Sequence, residues 1–170
     1  MARILQVCNT DFYLLKFLAP LVRALAEAGH QVECVCEGHS ADFGRLLPGI
    51  VVHPLSFPKT GSLPEFAAAI EGLRRIIRPG AYDCVDGHNR NGSIVARMAA
   101  WLEAVPINLY TAHGFYFHDD QSPLAREATI ALEAVLARVT DFTFSQSTED
   151  AERMVRRRLI TEEKISIIGN

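Results

Sequence analysis

The feature that most constrains the fold is a regular alternation of short apolar runs with longer segments of helical periodicity. Strands are predicted within RILQVC, HQVECVCE, IVVHPL, YDCVDGH, INLYTA, DFTFSQ and KISIIG. Helices are predicted over Tyr13–Gly29, Ser62–Arg78, GSIVARMAAWLEA, SPLAREATIALEAVLARV and STEDAERMVRRRL. Strands that alternate with helices form right-handed βαβ units, and parallel strands covered on both faces read as continuous apolar runs. We therefore predict an α/β fold, a Rossmann-like doubly wound parallel sheet of about seven strands with helices on both faces.

Local signals support several of the helix ends. Gly29 follows the last periodic residue of the first helix and predicts its C-terminal stop. Ser62 and Glu65 have capping-box spacing at the second helix. Ser122 and Pro123 suit the cap and first turn of the helix that follows them.

Length and composition narrow the class of protein. A chain of 170 residues suits a single domain, here residues 1–170, with a core of normal size. Its net charge of -3 argues against a nucleic-acid partner. The four cysteines lie in apolar, strand-like runs, which favours buried free thiols, no metal site and a reduced compartment. Because no signal-peptide core or run long enough to cross a membrane is present, we predict a cytoplasmic protein.

Missing motifs remove three common functions. The first strand-to-helix loop, CNTDFY, has no glycine, which disfavours NAD or FAD binding there. No P-loop pattern occurs, which disfavours a simple ATPase or GTPase. The chain also has no G-x-S-x-G nucleophile elbow, which disfavours an α/β-hydrolase.

Ligands of doubly wound folds bind at the carboxyl ends of the strands, so DGHNRNGS (residues 86–93) is the first candidate loop. Its helix start and Arg90 suit an anion such as a phosphate. His88 and Asn89 add polar groups at the same strand end, and Asn91-Gly92 can form a turn. The alternative is a plain turn and helix cap with Arg90 in solvent.

The second candidate loop is YTAHGFYFHDD, which follows the strand INLYTA. His113 can donate, accept or hold a hydroxyl near neutral pH, and Gly114 permits a sharp turn or a close backbone approach. Phe115 and the two aromatic residues after it could wall a pocket. The alternative is a loop packed on the next helix, with His113 as a structural histidine.

Four segments in order resemble the N-terminal domain of family 4 glycosyltransferases of the GT-B fold, especially the branch that builds capsular and lipid-linked polysaccharides. YTAHGFYFH is similar to the family's TAHGFHF segment, and YDCVDGHNRNGSIVARMAA is similar to the segment that carries its two histidines, with His88 on the second. LEAVLARVTDFTFSQSTED and ISIIGN resemble the two segments that follow. Asp86 replaces the first family histidine, Asn89-Arg90 replaces Thr-Pro, and the first loop lacks the usual glycines, which leaves the acceptor open.

The resemblance implies transfer of a sugar from a nucleotide-sugar donor, UDP-linked by expectation, to a saccharide or polyprenyl-linked acceptor in surface polysaccharide synthesis. It implies retention, no metal and no cofactor beyond the sugar nucleotide as substrate. His113 would be the catalytic residue, which positions a hydroxyl or a developing charge; a general base is the alternative role. The donor sugar would meet Gly114, Phe115 and Glu149. The acceptor would meet polar residues of the loop CNTDFY and of the loop DGHNRNGS, namely Asn9, His88, Asn89, Arg90 and Asn91.

The resemblance also implies a nucleotide-sugar domain C-terminal to residues 1–170, so this chain by itself would be an inactive acceptor half. Phe12–Leu21 and Arg153–Leu159 could add peripheral contact with the cytoplasmic face of the inner membrane. Two alternatives stay open. One is a non-catalytic Rossmann-like module that binds a sugar or anion, and the other is a GT-B-like sugar-nucleotide 2-epimerase.

Overall fold

A computed structural model describes residues 1–38, 40–114 and 122–169 of the chain. Its strands form one parallel sheet in the order β3-β2-β1-β4-β5-β6-β7. The strands are β1 Arg3–Val7, β2 Gln31–Cys36, β3 Val51–Pro54, β4 Cys84–His88, β5 Ile107–Ala112, β6 Phe142–Ser145 and β7 Ile165–Ile167. The predicted Rossmann-like sheet of about seven strands is confirmed.

Helices connect the strands and cover both faces of the sheet. They are α1 Asp11–Tyr13, a π-helical turn at Leu14–Leu18, α2 Ala19–Glu27, α3 Phe43–Leu46, α4 Leu63–Gly80, α5 Arg90–Leu102, α6 Pro123–Ala137, α7 Thr148–Arg156 and a 3₁₀ turn at Glu162–Lys164. One core packs α4 and α5 on the sheet around Leu5, Val85 and Val95. A second packs the π-helical turn and α2 on the other face around Leu14, Val22 and Cys34.

The helix ends follow most of the predicted signals. Gly29 has a φ of 88°, a left-handed conformation that suits a helix stop. The Ser62 hydroxyl accepts from the backbone N–H of Glu65 at 3.4 Å, so the predicted cap is confirmed. The Glu65 carboxylate instead accepts from the N–H groups of Lys59 and Thr60, at 2.8 and 3.1 Å, which ties the preceding loop to the helix start.

The first helix is more irregular than its periodicity predicts. It begins at Asp11, two residues before the expected start, because the Thr10 hydroxyl caps the N–H of Tyr13 at 3.2 Å. The π-helical turn then widens the backbone before α2. Such turns are frequent at functional sites. Here the turn follows Tyr13, a residue that contacts the candidate site described below.

The four cysteines are free and buried, as predicted. Burial raises the pKa of the Cys34 and Cys84 thiols to about 12, so these groups behave as small apolar side chains. Within residues 1–38, 40–114 and 122–169, no helix is both long and apolar enough to span a membrane.

A buried ion pair joins α5 and α6, the helices that precede and follow β5 in the chain. Arg97 of α5, 1% exposed, donates to both carboxylate oxygens of Glu133 of α6, at 2.9 and 3.1 Å. Its guanidinium carbon lies 4.1 Å from the ring centroid of Tyr110. The Asn108 side chain donates to the backbone carbonyl of Arg97 at 2.9 Å. These contacts hold α5, α6 and β5 in one arrangement, and β5 leads directly into His113.

Candidate functional site

The carboxyl ends of the central strands bring the two candidate loops together. β4 and β5 are neighbours, with His88 in register with Thr111. β1 lies on the other side of β4, with Gln6 in register with Asp86. Residues two apart in a strand share a face, so Gln6, Asp86, His88 and Thr111 all lie on one face of the sheet.

Two histidines form the centre of this site. The Nδ1 atom of His88 lies 3.3 Å from the Nε2 atom of His113, which is hydrogen-bond distance. His88 is fully buried, whereas His113 is partly exposed. His88 therefore lies behind His113, which is the imidazole open to a ligand. Direct contact between His88 and an acceptor stays a prediction, and its burial favours an action through His113.

A network of buried polar side chains supports His88. Its Nε2 atom lies 2.5 Å from Oε1 of Gln6 and 3.4 Å from Oδ2 of Asp86. The Thr111 hydroxyl donates to both Asp86 oxygens, at 3.1 and 3.2 Å. Buried polar groups held in this way stay in one arrangement because each has a partner.

The surroundings of His113 set its protonation. Burial lowers the pKa of His113 below its usual 6.5, and the nearby His88 adds to this effect. A hydrogen bond with the Gln146 side chain and the Asp86 charge act in the opposite direction but are outweighed. The Tyr13 ring packs edge-on against the imidazole, with 5.1 Å between centroids. His113 is therefore predominantly neutral at pH 7, the form that can accept a proton.

Close backbone packing holds the loop after β1 against the loop after β4. The Asn89 side-chain oxygen accepts from the N–H of Asn9 at 3.2 Å, which joins the β1 and β4 loops. Asn89 itself has φ 48° and ψ 174°, a strained conformation of the kind that concentrates at functional sites. A Cβ on Gly92 would lie 2.9 Å from that oxygen and 3.2 Å from the Asn9 nitrogen. A larger residue at position 92 would push the two loops apart.

The start of α5 opens onto a groove of about 600 Å³. Its polar lining includes Arg90, Asn91 and Lys59, of which Lys59 forms an ion pair with Glu37 at 3.1 Å. The Asn91 side chain donates to the Pro58 carbonyl at 2.7 Å. The rest of the lining is mostly apolar, with Leu63, Phe66, Ile94, Met98, Leu132, Val135 and Leu136. The groove therefore combines two cations with a long apolar wall.

The remaining predicted site residues are those expected to contact the donor sugar. Gly114 has a φ of 116°, which favours glycine, although an added Cβ would meet nothing within 4 Å. Glu149 lies in the first turn of α7 and accepts from Arg153 at 2.9 Å, so its donor-binding role stays a prediction. Phe115 lies outside the described residues.

Sequence reasoning missed four side chains that the fold brings to the histidines. Gln6 and Thr111 were treated as ordinary strand residues, Asp86 only as a departure from the family pattern, and Gln146 as the end of a strand. The available signal was a polar residue inside an otherwise apolar run, which the buried strands RILQVC and INLYTA both contain. Among the described residues, no three histidine, cysteine or acidic side chains are grouped to hold a metal ion.

Comparison with known proteins identifies relatives of this chain. A galactosyltransferase of Escherichia coli, UDP-Gal:alpha-D-GlcNAc-diphosphoundecaprenol alpha-1,3-galactosyltransferase, is 28% identical over 109 residues. That match covers 64% of this chain and 28% of the relative, so the chain spans well under half of the curated protein.

Solved structures show the same fold. A glycosyltransferase of Rickettsia africae superposes with a TM-score of 0.74 at 16% identity, over 99% of this chain and 43% of that one. The UDP-GlcNAc 2-epimerase of Neisseria meningitidis, solved with UDP-GlcNAc, gives 0.73 at 21% identity, over 99% and 46%. The family model for the glycosyl transferase 4-like domain matches residues 16–170. The chain therefore belongs to the glycosyl transferase 4-like domain family.

Proposed function

We propose that this chain is the acceptor-side half of a glycosyltransferase that moves a sugar from a UDP-sugar to a lipid-linked acceptor. The observation that carries the proposal is the His88–His113 pair at the carboxyl ends of two central strands in a glycosyl transferase 4-like domain. The Escherichia coli relative acts on a diphosphoundecaprenol-linked sugar, which supports an acceptor of that class. In this pair, His113 is the neutral, partly exposed imidazole that can contact the reacting groups.

His113 positions the acceptor hydroxyl or accepts its proton, because its neutral imidazole is the exposed member of the pair. The role expected of Gly114, and of Phe115 outside the described residues, is contact with the donor sugar, as is that of Glu149 at the start of α7. The reaction requires no metal or cofactor, only the sugar nucleotide as substrate. The chemistry is a transfer with retention, in which the leaving diphosphate shares the task of removing the hydroxyl proton.

The acceptor enters along the groove beside α5. Arg90 and Lys59 in its lining suit the diphosphate, because charge-assisted hydrogen bonds to phosphate are strong. The apolar wall formed by α4, α5 and α6 suits the first part of the polyprenyl chain. Asn91 adds a polar group to the groove. Asn9 and Asn89, which join the β1 and β4 loops, are the acceptor-binding residues proposed outside it.

The donor binds a second domain C-terminal to this one. The proposal rests on the share of the relatives that is matched, 28% of the galactosyltransferase and 43% of the Rickettsia glycosyltransferase. The protein is cytoplasmic in this proposal, where sugar nucleotides are available.

An aromatic surface patch brings the protein to the membrane. Phe12 and Phe17 are 63% and 52% exposed, and the Lys16 ammonium lies 5.2 and 5.3 Å from their ring centroids. Tyr13 lies 5.1 Å from Phe17 and 5.1 Å from His113, so the patch leads to the site. Exposed aromatics beside a cation favour an anionic lipid surface.

The second membrane segment predicted from sequence, Arg153–Leu159, is not part of the proposal. Three of its arginines are paired with carboxylates, and Met154 is buried in the core. Flotation of the intact protein with anionic vesicles tests the aromatic patch. The double variant Phe12→Ser with Phe17→Ser should bind the vesicles less. Trp101→Ser, which removes an exposed aromatic near the C-terminal end of α5, should not change vesicle binding.

The transferase proposal is tested with the intact protein, radiolabelled UDP-galactose or UDP-GlcNAc, and GlcNAc-diphosphoundecaprenol as acceptor. We expect label in the extracted lipid. His113→Ala should lower kcat/KM by about 10²- to 10⁴-fold, whereas His30→Ala, next to the amino end of β2, should not. Wild-type turnover by the His113→Ala enzyme would contradict the assigned role.

A 2-epimerase is the second candidate, because the Neisseria meningitidis epimerase shares the fold. It predicts formation of the 2-epimer from UDP-GlcNAc with no acceptor present. Incubation of the intact protein with the sugar nucleotide alone separates the two. Epimer formation without lipid would replace the transferase proposal, and binding without any turnover would favour the non-catalytic module.

A further inference from the structure

The buried polar network behind His113 determines which ring nitrogens carry hydrogen. Nε2 of His88 lies 2.5 Å from the Gln6 side-chain oxygen and 3.4 Å from an Asp86 carboxylate oxygen. A carboxylate oxygen can only accept a hydrogen bond, and the Gln6 oxygen is likewise an acceptor. Nε2 of His88 therefore carries the hydrogen, because an unprotonated nitrogen there would face two oxygen lone pairs.

This assignment passes to the second histidine. In the neutral form of His88 that has its hydrogen on Nε2, Nδ1 is an acceptor. Its neighbour at 3.3 Å is Nε2 of His113, which must then be the donor. Neutral His113 consequently has its lone pair on Nδ1.

We propose that Asp86, with Gln6, is a positioning residue that fixes the Nε2–H tautomer of His88 and, through it, that of His113. The inference rests on the proposed function for its catalytic meaning, since the lone pair on Nδ1 of His113, on the ring that the Gln146 side chain also contacts, would then be the atom that receives the acceptor's proton. Asp86 touches no substrate in this arrangement, because it is buried behind both rings.

Charge on Asp86 has a second consequence for the same ring. Four groups face His113: the imidazole of His88, the Asp86 carboxylate, and the side chains of Tyr13 and Gln146. Of these, Asp86 is the anion, and it favours a proton on His113. A proton that His113 takes up is therefore stabilised by Asp86, with His88 between them.

A purely structural role for Asp86 makes a different prediction. Asp86 accepts two hydrogen bonds from Thr111 and so also joins β4 to β5. Loss of that link would change stability and leave the His113 tautomer as it is. The two roles are therefore separated by the state of the ring nitrogens, which stability alone does not report.

The experiment is long-range ¹H–¹⁵N correlation NMR of the histidine rings in the intact protein labelled with ¹⁵N-histidine, at a pH above 7. Signals of His88 and His113 are assigned with His→Gln variants. We expect both rings to show a protonated Nε2 and an unprotonated Nδ1. In Asp86→Asn, the Nδ1–H form of His113 should rise several-fold, kcat should fall on the order of tenfold with KM unchanged, and the acid limb of the pH–rate profile should move to lower pH.

Asp83→Asn is the matched control, because Asp83 immediately precedes the same strand and accepts from the Arg3 N–H at 2.7 Å. It should leave both the ring signals and kcat unchanged. If Asp86→Asn does not fold, Gln6→Met is read by the same criterion.

Two results would overturn the inference. One is a wild-type His113 protonated on Nδ1. The other is an unchanged His113 tautomer in Asp86→Asn, even if activity falls. If the tautomers are as expected but no sugar transfer occurs, the proposed function fails and the assignment of Asp86 stands.

Discussion

Removing the charge of Glu133 should destabilise this chain more than any comparable surface change, because Arg97 would be left as a buried cation. The two side chains are 1% and 7% exposed and share two hydrogen bonds, at 2.9 and 3.1 Å. In Glu133→Gln, one acceptor oxygen becomes an amide N–H₂ that faces a guanidinium donor. Breaking a buried pair by removing one partner costs about 3–5 kcal/mol.

Urea denaturation followed by circular dichroism measures this loss. At about 2–4 °C per kcal/mol for a chain of this size, Tm should also fall by about 10 °C. Glu152→Gln is the control, because its pair with Arg156 is exposed at both ends, and such pairs contribute about 0–1 kcal/mol. A loss below about 1 kcal/mol for Glu133→Gln would refute the reasoning.

The double variant Arg97→Met with Glu133→Leu tests the cause. Replacing both charges with apolar groups of similar size removes the desolvation penalty together with the attraction. We expect this variant to be more stable than Glu133→Gln. If it were less stable, shape and the Tyr110 contact rather than the unpaired charge would account for the loss.

Three further predictions follow. Burial alone would raise the pKa of Glu33, but hydrogen bonds from His53, Tyr82 and Arg3 outweigh it and lower that pKa to about 2. The contribution of the Glu33 carboxylate to the free energy of unfolding is therefore complete above pH 4.5 and is lost as the pH falls toward 2. In urea titrations, the wild type should lose about 1–2 kcal/mol more stability than Glu33→Gln between pH 7 and pH 3. Gly87→Ala should destabilise by about 1–3 kcal/mol, because its Cβ would lie 2.8 Å from the Cα of Ser93. Gly44→Ala, a helical position with nothing within 4 Å, should be neutral or slightly stabilising in the same measurement. Because the pKa of His113 lies below 6.5, the acid limb of kcat/KM should also lie below pH 6.5, and a limb above that value would contradict a neutral His113 as the reacting form.

The fold was predictable because its signals are local and repeated. The central parallel strands are mostly buried on both faces and so appear as apolar runs, and the longer helices show their own periodicity between such runs. The short helix Phe43–Leu46 was not predicted, because four residues cannot display a helical period. The π-helical turn was also missed, since it changes the backbone without changing the apolar pattern.

The candidate site was only partly predictable. His113 and His88 could be selected because each lies at a strand end in a loop with family resemblance. Their contact could not, since it depends on the order in which strands pair, and β4 could have had other neighbours. Gln6, which is 82 residues from His88 in the chain, reaches it because β1 and β4 are adjacent in the sheet.

The sequence by itself determined the α/β class, the strand ends and the residue types available for chemistry, because these follow from periodicity and from side-chain identity. Only the tertiary structure decided which imidazole is buried and which is open, since burial depends on the helices that cover the sheet. The proton positions that we propose also depend on the tertiary structure, because Gln6 on β1 meets His88 on β4 only where these two strands pair.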